Sequence, residues 1–289
     1  MIFFSSDPDF VEFLKEFEKQ GIKIDLLITE SPKEQGRDMR VKPNPAHAIA
    51  NKLNINVKAF EKLDQKAYLE IKKSMPEDSL GFIFAYGKII PKNIIDLFEN
   101  GILNIHFSLL PEYPGASPLQ QALLDNKKET GYSIFEISDK LDQGLLLTQE
   151  KIQILPDDNF DSLRSKIISR IAHDLPKLIK KYLKWEIKLT KMPKGKMSFT
   201  HRILKQDGLI SDNDSAVSAY NKTRAFSRWP KTYLLIKNKR FIIHQARLDK
   251  NMLEIISIQP EGKKPMRFTE FKNGYQTLLT KMPKFVKIN

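Results

Sequence analysis

Apolar and polar positions change period along the chain, and those changes outline its organisation. Ile2-Phe3-Phe4 is a short apolar run, and Asp7-Pro8 after it suits a helix cap with proline at the first helical position. Phe10, Phe13, Leu14 and Phe17 then recur at i, i+3, i+4 and i+7, the stripe of an amphipathic helix that Gly21 closes. A strand over Ile24 to Ile28, a polar loop from Glu30 to Pro45, and a helical stretch with Ile49 and Leu53 come next. Leu80 to Ala85 is apolar on both faces, as in a central strand of a parallel sheet. A helix from Pro91 to Phe98 leads to another buried strand, Gly101 to His106. Alternation of this kind predicts an open α/β sheet, whose sites gather beyond the C-terminal ends of its strands.

A long helical stripe runs through Phe160, Leu163, Ile167, Ile171, Leu175, Leu178 and Tyr182. The composition then shifts. Lys184, Lys188, Lys191, Lys194, Lys196, Arg202 and Lys205 crowd one stretch, broken by Pro193 and Gly195, which reads as an interdomain linker. After a helix at Ser215 to Phe226, β-rich runs at Tyr233 to Ile236, Arg240 to Leu248 and Met252 to Ile258 predict a small β-barrel or sheet. Two domains are therefore expected, at 1–186 and 207–289, joined by a basic linker at 187–206.

Composition narrows the function classes. The 289 residues contain no cysteine, which excludes disulfides, thiolate metal sites and cysteine nucleophiles and suits a reducing cytoplasm. The net charge of +13 is uneven: residues 1–150 carry 18 Lys+Arg against 23 Asp+Glu, and residues 151–289 carry 30 against 12. A back half at +18 points to a polyanion, either nucleic acid or an anionic membrane surface. The longest apolar runs fall far short of the roughly 20 residues of a membrane span, and the N-terminus lacks the basic start and long apolar middle of a signal peptide. Nucleic acid is the better expectation.

Five histidines occur, none spaced as a local metal-binding pair, and the glycines form neither a dinucleotide fingerprint nor a P-loop, so no metal is expected. The informative stretch is Gly101 to Pro111. Asn104 and His106 are two apart at a strand end, so their side chains leave on one face where α/β sites form. An amide donor beside an imidazole suits acyl transfer, the one stabilising an oxyanion and the other managing an amine proton. The same spacing also fits a capped strand end with an ordinary buried histidine. Farther on, Leu141-Asp142-Gln143-Gly144 offers a carboxylate that could orient the imidazole, although Asp-x-Gly is equally a simple turn.

Together, Asn104-Ile-His106, Ser108-Leu-Leu-Pro111, Gly115-Ala-Ser-Pro118 and Leu141-Asp142-x-Gly144 resemble, in order and spacing, the folate-dependent formyltransferases that use 10-formyltetrahydrofolate. Asp7-Pro-Asp-Phe10, Gly36-Arg37, Pro43-Asn-Pro45, Ala85-Tyr-Gly87, Ile90-Pro-Lys92, Arg224 to Pro230 and Gly262 to Met266 look like the branch of that superfamily acting on methionyl-tRNA. The matches span both domains. The resemblance implies a Rossmann-like formyltransferase domain with a parallel-rich sheet, followed by a small, shortened OB-like β-barrel. Asn104, His106 and Asp142 would be the catalytic trio. Ser108, Leu109, Leu110 and Pro111, with Ala85, Tyr86 and Gly87, would bind the folate. Arg37, Arg40 and Lys42 in the 31–45 loop, and Lys191, Lys194 and Lys196 in the linker, would meet the tRNA. A cytoplasmic monomer acting on initiator methionyl-tRNA, with no membrane partner, is the expectation.

Some positions depart from the family pattern. Phe107 stands where glycine is usual, Glu112 replaces a basic residue, Lys140 replaces a glycine, and Ser6-Asp7 replaces Gly-Thr. The second domain is short between Leu248 and Met252. Trp229 is expected in the core of that domain rather than as a base-stacking surface. Two other readings compete: a formyltransferase acting on an amino-sugar nucleotide, and a non-catalytic RNA-binding relative. The basic back half weighs against the first, and the intact trio against the second. A third relative, glycinamide ribonucleotide formyltransferase, is normally a single domain, and this chain is longer.

Overall fold

The computed structural model describes residues 1–35, 39–138, 142, 144–195 and 197–288. The chain divides into two compact units, one of residues 1–112, 131–151 and 166–196, the other of 113–130, 152–165 and 197–289.

The first unit begins with β1 (Ile2–Phe4), α1 (Phe10–Lys19), β2 (Leu26–Glu30), β3 (Lys33–Gln35), β4 (Arg40–Lys42), α2 (Pro45–Lys52) and β5 (Val57–Phe60). It continues through α3 (Gln65–Ser74), β6 (Gly81–Ile83), α4 (Lys92–Ile95) and β7 (Ile102–His106). Next in the chain are α5 (Pro118–Leu124), β8 (Glu129–Glu136), β9 (Leu145–Gln153) and α6 (Phe160–Leu183). Seven strands form one sheet in the order β5-β2-β1-β6-β7-β8-β9. The pairs β5·β2, β2·β1, β1·β6 and β6·β7 are parallel, and β7·β8 is antiparallel. This is the Rossmann-like, parallel-rich sheet expected, with β6 central between β1 and β7.

Period-two alternation sends neighbouring residues of the central strands to opposite layers. Phe3 and Phe82 stack at 5.2 Å and meet Phe13 and Phe17 of α1 on one face. Ile2, Phe4, Leu26 and Ile28 join Ala67 and Ile71 of α3 and Ile94 of α4 on the other. Burying a large apolar side chain contributes about 1.5–3 kcal/mol, so these two layers fix the strand ends that carry the site.

Some local expectations change. The 30–45 segment is not a plain loop but carries the antiparallel pair β3·β4, with Lys33 opposite Lys42 and Gln35 opposite Arg40. The helix expected over Pro91 to Phe98 is regular only in α4, because Pro91 caps it and the chain turns through Phe98 to Gly101.

In the second unit, α7 (Ala216–Ala225) is followed by β10 (Thr232–Ile236), β11 (Lys239–Asp249), β12 (Met252–Pro260), β13 (Met266–Arg267), α8 (Phe268–Gly274) and α9 (Gln276–Leu279). The strands form a four-stranded sheet in sequence order, every pair antiparallel. The small β-domain expected is built on this antiparallel sheet, its core made by Leu234, Phe241, Ile243, Leu253, Ile255 and Ile258 under Phe268 and Phe271. Buried Arg224 of α7 donates to the carbonyls of Asp158 at 2.6 Å and Leu155 at 3.1 Å, clamping the turn before α6. Trp229, expected in the core, is 53% exposed. The apolar positions packed under the sheet come instead from α8, α9 and the C-terminal segment.

Candidate active site

Asn104 and His106 lie on β7, whose register sets Asn104 against Ile83 of β6 and Phe135 of β8, and His106 against Ser133. Ile102, Leu103 and Ile105 are buried, so the strand is held on both faces and its polar pair projects from a rigid support. Asn104 is half-buried and its amide has no hydrogen-bond partner among the described residues. That leaves its N–H free to meet an oxygen that develops charge.

His106 and Asp142 are both buried, with His106 Nδ1 3.9 Å from Asp142 Oδ2. The separation exceeds a hydrogen bond but lies within ion-pair reach, and catalytic contacts often tighten only when substrate arrives. Asp142 adopts φ +52°, a left-handed conformation that is costly outside glycine and aspartate-like residues. Two residues on, a Cβ at Gly144 would lie 1.6 Å from the Glu136 carbonyl oxygen. Only glycine lets the chain return this close to β8, which explains the Asp-x-Gly pattern physically. The structure therefore brings Asp142 to His106, two residues along β7 from Asn104. Lys140 lies outside the described residues.

The Ser108-Leu-Leu-Pro111 segment is held by a compact polar network. Ser133 Oγ donates to the Ser108 carbonyl at 2.6 Å and accepts from Leu110 N–H at 3.0 Å. Gln149 Nε2 donates to the Leu110 carbonyl at 2.7 Å and to Ser133 Oγ at 2.9 Å. Ser108 Oγ closes the turn on the Glu112 carbonyl at 2.6 Å, and the Leu110–Pro111 peptide is cis. Ser133 and Gln149 were missed in the sequence reading. Only the structure shows Ser133 to be fully buried within Tyr132 to Phe135 and opposite His106.

Ala85, Tyr86 and Gly87 follow β6 at its C-terminal end, adjacent to the end of β7. Ala85 has φ +48°, a second left-handed residue beside the site. The Tyr86 ring rests 5.7 Å from Phe4, and its buried hydroxyl has no hydrogen-bond partner among the described residues. Burial, and then the Glu30 carboxylate, push its pKa well up, so the hydroxyl stays protonated and able to donate. Phe107 packs edge-on against Phe84 at 5.8 Å, and Phe84 in turn against Phe13 at 4.8 Å. The ring that replaces the usual glycine thus joins the α1-side aromatic layer.

Of the residues expected to meet RNA, Arg40 and Lys42 are exposed on β4, beside Met39 and Val41, which are also exposed. Lys191 and Lys194 are exposed and flank Met192, which packs on Leu110, while Gly195 lies against Pro111. Arg37 and Lys196 lie outside the described residues. Among the described residues no three His, Asp or Glu side chains are grouped to hold a metal, and no helix is long and apolar enough to cross a membrane.

Residues 1–178 match the formyl transferase family and residues 202–252 its C-terminal domain. The chain is 32% identical over 305 residues to a methionyl-tRNA formyltransferase of Caldicellulosiruptor saccharolyticus, covering 95% of this chain and 97% of that one. Its fold is similar to the methionyl-tRNA formyltransferase of Clostridium thermocellum, with a TM-score of 0.59, 16% identity, and coverage of 90% and 96%. It is also similar to an N-formyltransferase from Helicobacter canadensis solved with folinic acid and dTDP-3-aminofucose, with a TM-score of 0.65, 19% identity, and coverage of 87% and 88%.

Proposed function

The chain belongs to the formyl transferase family, and from that premise we propose that it moves a formyl group from 10-formyltetrahydrofolate to the α-amine of methionyl-initiator tRNA. The observation that carries the reading is one constellation: an Asn104 amide with no partner among the described residues, two positions along β7 from a buried His106 imidazole with Asp142 3.9 Å away. The neutral amine attacks the formyl carbon, forming a C–N bond and a tetrahedral oxyanion. Asn104 donates to that oxyanion, and His106, oriented by Asp142, takes the ammonium proton and delivers it to the departing folate nitrogen. Collapse of the oxyanion breaks the bond to that nitrogen and leaves formylmethionyl-tRNA.

The folate is a co-substrate, and the residues beside the trio suit it. The 108–111 segment is fixed by Ser133 and Gln149, and the orphaned Tyr86 hydroxyl offers a donor to a polar heterocycle. Residues 1–186 carry this chemistry. Arg37, Arg40 and Lys42, the 187–206 linker and the 207–289 domain meet the tRNA, whose phosphates account for the back half at +18. A cytoplasmic monomer completes the reading, which a charged-tRNA substrate and a cysteine-free chain suit.

The test is a side-by-side assay with 10-formyltetrahydrofolate and two acceptors, methionyl-tRNA and an amino-sugar nucleotide. Formylation of the tRNA alone is expected. Formylation of the sugar nucleotide alone would overturn the assignment.

A further inference from the structure

The last turn of α6 ends in a way that neither folding propensity nor burial explains. Trp185 N–H donates to the Tyr182 carbonyl and Glu186 N–H to the Lys181 carbonyl, both at 2.9 Å, the paired bonds of a Schellman closure. Trp185 fills the left-handed position of that closure at φ +60°, where glycine is favoured and a bulky residue is an outlier. Its side chain is also 82% exposed, the most exposed aromatic ring in the described chain. A large ring that costs backbone strain and adds nothing to a core is placed for recognition rather than for stability.

Its neighbours along the chain are mainly cationic, with Glu186 the one carboxylate between Lys177 and Lys188. Lys177, Lys181, Lys184 and Lys188 are exposed, and none is ion-paired to a described residue. Tyr182 Oη donates to the Asn100 carbonyl at 3.1 Å, just before β7, and Lys180 Nζ to the carbonyl of Gln20, the cap residue of α1, at 3.2 Å. Trp185 therefore stands at the N-terminal edge of the parallel strands, the edge opposite His106. Farther along the chain, Thr190 makes an antiparallel bridge to Leu146 at the start of β9, Met192 packs on the cluster of Leu110, Phe135 and Leu146, and Gly195 meets Pro111. Lys188, Lys191 and Lys194 thus mark a cationic path from Trp185 to the candidate folate segment.

We propose that Trp185 is a stacking platform for an unpaired nucleotide of the tRNA, remote from its 3′ end, with Lys181, Lys184 and Lys188 holding the flanking phosphates. The inference rests on the reading that the acceptor is a tRNA. An exposed ring among ammonium groups is the arrangement that binds unpaired nucleotides, the ring taking a base face and the cations the backbone. The aminoacyl end must reach His106, so a base held at the opposite edge comes from another unpaired part of the same folded RNA.

The experiment measures tRNA affinity and thermal midpoint for the full chain and for Trp185→Gly and Trp185→Phe, with formylation by the unaltered protein as control. Trp185→Gly is expected to weaken tRNA binding about tenfold while its midpoint holds or rises, since glycine suits the left-handed position. Trp185→Phe, which keeps a ring, should stay within about threefold of the unaltered protein. Unchanged affinity in Trp185→Gly, an equal loss in both variants, or a loss accompanied by a lower midpoint would overturn the proposal. So would Trp185-dependent binding to phosphatidylglycerol–phosphatidylcholine vesicles without any effect on tRNA, which would assign the ring to a membrane surface. Failure of the unaltered protein to formylate methionyl-tRNA removes the underlying reading instead, so the two failures are distinguishable.

Discussion

The C-terminal end of β7 and the C-terminal end of α6 belong to the same unit and solve opposite problems. At β7 the polar groups are few, buried or half-buried, and positioned: His106 faces Ser133 across the ladder, and Ser133 and Gln149 tie down the 108–111 segment. At the C-terminal end of α6 the lysines are many, exposed and without ion-pair partners among the described residues, around a tryptophan left in water. The difference follows from what each must meet. A developing oxyanion is stabilised by dipoles already oriented in a dry site, whereas a phosphate backbone is met by mobile cations whose contribution is counterion release.

That contrast is most sharply tested at the trio. Asn104→Ala, His106→Ala and Asp142→Ala should each lower kcat/KM for formyl transfer by about a hundredfold or more, and near-normal turnover in all three would remove the catalytic reading. One step outward, Ser133→Ala should raise KM for the folate donor about tenfold, because two backbone groups of the 108–111 segment lose their partner. Ser133→Thr, which keeps the hydroxyl, should recover most of that loss, and a kcat effect with unchanged KM would place Ser133 in the chemistry instead. On the exposed side, Lys191→Ala with Lys194→Ala should weaken tRNA binding severalfold and reduce the salt slope by about two, with donor KM little altered.

The smallest expected effect concerns a charge that does have a partner. Burial raises the pKa of Asp214, but hydrogen bonds from Lys222, Ser218 and the Ser211 N–H outweigh it and leave the carboxyl below its ordinary 3.8. A depressed folded pKa means the stabilisation is present above the unfolded value and is lost as pH falls through the folded one. Denaturant titrations of Asp214→Asn should therefore show a flatter decline of stability below about pH 4 than the unaltered chain. An identical acid limb in both proteins would count against the pair.

Legibility in the sequence followed the strength of the periodic signal. Helices α1 and α6 and strands β10 to β12 were readable because each repeats its apolar period over many residues. Helix α3 buries only Ala67 and Ile71 along its ten residues, too thin a stripe to register, and α5 has only seven residues, four of them buried. Asn104, His106 and Asp142 could be named from residue type, strand-end placement and family resemblance. Ser133 could not, since a serine within a strand carries no signal until its hydroxyl is seen between two backbone groups of another segment. Trp229 and Trp185 show the same limit, because hydrophobicity predicts burial on average and cannot say which ring the fold leaves outside.

By itself, the sequence determined the α/β alternation of the front, the charge division between front and back, and the set of side chains able to carry acyl-transfer chemistry. These depend on local period, composition and residue type. Tertiary structure alone decided that Asp142 returns to within ion-pair reach of His106, that Ser133 and Gln149 brace the adjoining segment, and that Trp185 stands in water at the far edge of the sheet. Each is a contact, or the lack of one, between residues far apart in the chain, and only packing of the whole unit fixes such distances.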